Sequence, residues 1–146
     1  MAIFTPDGTL ALDIGGVASA GAGLPNAWWI TWLLVNRGPD PLELLEAWLP
    51  HDQFCAGRSA FDPPTLLPPG EGAVFDDEVY CPGAPGETVE NAFLILRTRS
   101  SGQDRRVFAR LRIEHTADGR IRPVLESLTT TPVGFVPGRA APAAGP

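Results

Sequence analysis

Apolar and polar residues alternate through most of this chain, and glycine and proline break the alternation every few residues. That rhythm predicts short β-strands joined by turns. The opening, AIFTPDGTLALDI, sets a Pro-Asp-Gly turn between two apolar runs, a small hairpin or a bent first strand. Residues 15–25, GGVASAGAGLP, read as a loop. Residues 28–35 then form a strand with two apolar faces. Trp28, Ile30, Trp32 and Leu34 lie on one, and Trp29, Thr31, Leu33 and Val35 on the other. A run so rich in Trp, Ile, Thr and Val is a poor helix. Residues 36–41, NRGPDP, stop it, and 42–49 are read as the next strand. Helix is the alternative there, because Leu, Glu and Ala favour it. Residues 51–70 read as irregular, 72–80 as a strand, and 81–86 as a loop.

The last three strands are the clearest: 89–99, 105–115 and 120–128. A three-residue turn, Ala117-Asp118-Gly119, sets Glu114 opposite Arg122, Arg110 opposite Glu126 and Leu111 opposite Leu125. A two-residue Asp-Gly turn would set Leu111 against Glu126. Matched pairs stabilise a sheet by roughly 0.2–1 kcal/mol each, which favours the longer turn. The expected core face holds Phe93, Ile95, Val107, Ala109, Leu111, Ile113, Ile121 and Leu125. Leu94, Leu96, Phe108, Val124 and Leu128 fall on the opposite face, which is then too apolar to be fully solvated. In this register Arg97 and Arg99 do not share a face with Arg110 and Arg112, so the arginines form no single anion patch.

The 146 residues suit one domain, with 1–131 as its body and the Pro/Ala/Gly-rich stretch 132–146 as a mostly flexible tail. A composition 44% hydrophobic and 19% charged supports a packed core. No uninterrupted apolar stretch is long enough for a membrane helix, and the N-terminus has no basic and apolar leader pattern. As it stands the chain reads as cytoplasmic, or as exported if a signal peptide has been trimmed. It contains no Lys, and all eleven cations are Arg. Residues 1–96 hold thirteen acids and two arginines, and 97–146 hold nine arginines and four acids, net charges of −11 and +5. The overall −6 argues against a nucleic-acid partner. The basic third is free to face an anion or the acidic remainder of the fold.

With strands placed, Val35-Asn36-Arg37-Gly38 followed by Leu67-Pro68-Pro69-Gly70-Glu71 and Phe75 resembles the V-N-x-G … L-x-P-G-E … F signature of bacterial immunoglobulin-like and fibronectin-III-like sandwiches. The resemblance covers about residues 30–80, and the strand rhythm extends it to 128. It implies an antiparallel β-sandwich of about seven to eight strands and no particular function. Antibody-type domains place a Trp after the first Cys, whereas Trp48 precedes Cys55, so the likeness stops short of that type.

Candidate chemistry is sparse. His51, Cys55, Cys81 and His115 are the only His and Cys, and their spacings match no zinc-finger pattern. They are the weak metal candidates; no cofactor is expected. Cys55 and Cys81 are either a disulfide or two thiols. No nucleophile, phosphate-loop or dinucleotide motif occurs, and a triad from Ser59, His51 and Asp52 has no motif behind it. Asp62 with Asp76, Asp77 and Glu78 offers oxygens for calcium, or simply a solvated strand edge. The tryptophans, interleaved with Ile, Leu and Val, read mainly as core. The surplus apolar positions Trp28, Trp29, Trp32, Leu94, Leu96 and Phe108 are the interface candidates. The expectation is a non-catalytic interaction module that forms a homodimer or docks on a protein partner, with a carbohydrate-binding or metal-carrying domain as the alternatives.

Overall fold

A computed structural model describes residues 1–133, and these are all strand and turn. The elements are β1 (Ile3–Phe4), β2 (Leu10–Ser19), β3 (Ala27–Asn36), β4 (Leu42–His51), β5 (Phe54–Leu67), β6 (Gly72–Tyr80), β7 (Thr88–Ser100), β8 (Gln103–His115) and β9 (Ile121–Pro132). Each is antiparallel to its neighbours, in the order β1-β2-β3-β6-β5-β4-β7-β8-β9. The all-β expectation holds, but the two-sheet sandwich of seven to eight strands does not. The nine strands form one sheet that curls until β1 and β2 lie against β9, nearly closing a barrel. Among the described residues no helix is long and apolar enough to cross a membrane. The expected tail lies outside the described residues, apart from Pro132, which ends β9, and Val133, whose N–H bonds to the Asp104 carbonyl.

The sheet is continuous because β5 joins β6, although only at Cys55 opposite Tyr80. Beyond that pair, side chains bridge the two strands: Phe61 meets Phe75 edge to face at 5.5 Å between centroids. β5 was expected to be irregular. Gly57, Pro63 and Pro64 are poor strand residues, and a strand with so little pairing on one side can carry prolines that a central strand could not.

The interior is a mainly apolar core. Leu12, Ile30, Trp32, Leu34, Leu44, Phe54, Leu94, Leu96, Leu111 and Ile113 are wholly buried. The parity read for β3 is correct: Ile30, Trp32 and Leu34 point in, whereas Trp29 is 45% exposed. The turn after β3 is built as its residues suggest. Buried Asn36 accepts the Gly38 N–H and donates to the Asp40 and Leu67 carbonyls, at 2.8–3.0 Å. Pro68 and Glu71 close the turn into β6, with Gly70 in the left-handed region. These turns carried the sandwich resemblance; the two-sheet architecture it implied is absent.

The β8–β9 register agrees with two of the three expected pairs, Glu114 opposite Arg122 and Leu111 opposite Leu125. A bulge then places Ser127, not Glu126, opposite Arg110. Glu126 still reaches Arg110 at 3.4 Å and Arg112 at 2.9 Å. The β7–β8 register differs from the expected one. Ser101 (φ 51°) and Gly102 (φ 75°) make a tight two-residue turn, so Ser100 pairs with Gln103 and Ile95 with Phe108. This shift of one residue reverses β7. Leu94 and Leu96 go inward, and Phe93 and Ile95 turn outward and are only half-buried. Leu128 is likewise core.

Candidate functional site

The reversal of β7 assembles a surface that the expected register excluded. Residues directly opposite on neighbouring strands share a face. Trp48 of β4 is opposite Ile95 of β7, and Ile95 is opposite Phe108 of β8. These three half-buried side chains form an apolar row across the outer face. On one side runs a polar row, Glu46 opposite Arg97 and Arg97 opposite Arg106. On the other, Phe93 sits opposite Arg110. Arg58 completes the frame, its guanidinium carbon 4.1 Å above the Trp48 ring and its Nη1 3.3 Å from Glu46.

The charges on this face are unequally satisfied. Arg97 and Arg99 both hold Asp104, at 2.8 and 2.7 Å. Their hydrogen bonds, Arg99's first, keep the Asp104 carboxyl below its usual range. Arg122 and then Arg112 do the same for Glu114. Arg106 is exposed and has no ion-pair partner among the described residues. It stands directly across from Arg97, an unfavourable like-charge pair in an isolated sheet. The Arg97 Nε is buried with no hydrogen bond. The sheet therefore presents positive charge beside an aromatic row, which suits an anionic group flanked by apolar surface.

The other interface candidates separate. Trp32, Leu94 and Leu96 are core, and Trp28 is half-buried against it. Trp29 and Phe108 are on outer faces, but of different strand groups. Trp48, Ile95 and Phe93 were missed as site residues. Their signal was the Ser101-Gly102 pair, whose residue types suit a two-residue hairpin turn and fix which way β7 faces.

The His and Cys residues form no metal centre. Among the described residues there is no group of three or more possible ligands. Cys81 Sγ lies 3.8 Å from His115 Nε2, while His51 Nδ1 accepts the Gln53 N–H at the β4–β5 turn. Cys55 and Cys81 are two free thiols. Burial, and then neighbouring Cys55, push the Cys81 thiol up to about 12, so it is protonated at neutral pH and a weak nucleophile. Gly83 lies over the imidazole of His115, where an added Cβ would collide with Nε2. Cys81, Gly83 and His115 thus pin down the loop after β6. No hydrogen bond links Ser59 to His51 among the described residues. Asp76 and Glu78 point outward and Asp77 inward, so the acidic run gathers into no calcium site.

Two hollows remain. A cleft of about 430 Å³ lies along the open seam, lined by Ile3, Ile14, Val17, Ile121 and Leu125. A polar one of about 200 Å³ at the barrel end is lined by Asp7, Asn36, Thr98 and Arg105 among others. In the polar one the Thr9 hydroxyl donates to Asp7 at 2.8 Å, and Asp7 also accepts the Thr9 N–H and the Thr5 hydroxyl, so these contacts are those of the turn before β2. No protein-family model and no curated protein matches this chain.

Proposed function

We propose that this protein is a non-catalytic interaction module that takes an acidic protein surface onto the outer face of β4, β7 and β8. The observation that carries the reading is the half-exposed row Trp48, Ile95 and Phe108 beside Arg106, which has no ion-pair partner among the described residues and lies opposite Arg97. An apolar centre with arginines at its margin is the usual anatomy of a binding patch. Isolated Coulomb attraction at such a surface is modest, so the apolar row supplies the affinity and the arginines the selectivity.

Chromatography on immobilised poly-L-glutamate tests this. The chain carries a net −6, so retention at low salt reports a local basic surface. Wild-type protein is expected to be retained and to elute as salt approaches a few tenths molar, where the Debye length falls to about 5 Å. The double variant Arg106→Glu, Arg110→Glu is expected to flow through. Wild-type flow-through at low salt, or equal retention of the variant, would contradict the reading.

A further inference from the structure

The strands on the other side of the β5–β6 junction carry the complement of this face. β2, β3 and β6 contain Asp13, Asp76, Asp77 and Glu78 and not one cation. On their shared outer surface Trp29 is opposite Glu78, Thr31 opposite Asp76, and Leu33 opposite Val74. Thr31 donates to Asp76 at 2.6 Å and holds that carboxylate in place. Val74 is 67% exposed and Trp29 45%, high values for large apolar side chains. One molecule therefore bears two surfaces of opposite sign, each with an apolar centre: acidic with Trp29, Leu33 and Val74, and basic with Trp48, Ile95 and Phe108. They lie on separate strands, so a copy engaging through one leaves the other open.

We infer that the acidic partner of the arginine face is the β3–β6 face of a second copy of this chain, docked head to tail. The inference rests on the functional reading above and names its partner. Carboxylates Asp76 and Glu78 supply the anions that Arg106 and Arg110 lack or hold only loosely, and Trp29 and Val74 meet the aromatic row. Because two different surfaces meet, the contact is heterologous, and repetition builds a ring or an open chain of copies and not a closed two-fold dimer.

Sedimentation velocity on the full chain tests this with three proteins at low salt, each first shown by circular dichroism and urea unfolding to be folded. Wild type is expected to rise in mass above 15.5 kDa with concentration and to fall back in 0.5 M salt. Arg106→Glu alone, and Val74→Arg with Glu78→Arg alone, are each expected to sediment as monomers. Mixed in equal amounts, they should restore a complex that stops at two copies, since each variant keeps one intact face. A wild-type monomer at every concentration, salt-insensitive association, or a mixture that stays monomeric would overturn the inference. A wild-type monomer that poly-L-glutamate still retains would remove the second copy as partner while leaving the acidic-partner reading standing. Loss of both would remove the two together.

Discussion

Asp77 shows how one residue sets a stability profile. It follows Asp76 in an acidic run, yet strand alternation turns it into the core, where it is 9% exposed. Its Oδ2 has no hydrogen bond among the described residues, and neither does the buried indole N–H of Trp32. Burial first, and then the charge of Asp76, raise its pKa; the nearby Trp32 N–H offsets this only in part. The sign follows by linkage. Below 3.8 the acid is protonated in both states and costs nothing. As pH rises the unfolded chain ionises first, so stability falls until the folded-state pKa is passed. Asp77→Asn removes that loss. Urea unfolding near pH 7 is expected to show the variant more stable by about 1–3 kcal/mol, the scale of an unsatisfied buried polar group. The difference should shrink toward pH 3. Equal stability at both pH values would show that Asp77 is better solvated than its burial implies.

At the scale of elements, turns decide what the strands present. Residue pattern alone located β3, β6, β7 and β8 to within a few residues, and cross-strand pairing identified the Ala117-Asp118-Gly119 turn. The face of β7 was not legible in the same way. Phe93, Leu94, Ile95 and Leu96 are all apolar, so hydrophobicity cannot say which pair is inside. Only the Ser101-Gly102 turn settles it, and with it the arginine face. β5 was lost for the opposite reason, since its Gly and Pro residues disguise a strand that has pairing along mainly one side. The turn itself can be tested. Gly102→Val forces a β-branched residue to φ 75° and is expected to cost about 1–3 kcal/mol in urea unfolding. An unchanged midpoint would mean that β7 and β8 are joined in another register.

At the scale of the molecule, the division of charge along the sequence becomes a division in space. The acidic first two-thirds supply β2, β3 and β6, and most of the arginines enter with β7 and β8. The single sheet, curled almost into a barrel, keeps Trp32 and its neighbours buried inside while its outer skin carries two unlike surfaces. The sandwich expectation failed at this scale because local turns and strand rhythm are common to many antiparallel folds. Whether the ends of a sheet meet depends on cumulative twist and pairing that no short motif records. The most direct measurement is an amide NMR titration of the dilute protein with a short oligo-glutamate. Shifts are expected to concentrate at Ile95, Arg97, Arg106 and Phe108 and to disappear with Arg106→Glu and Arg110→Glu. Shifts confined to the Arg120–Arg122 turn, or none at all, would contradict a binding face on β4, β7 and β8.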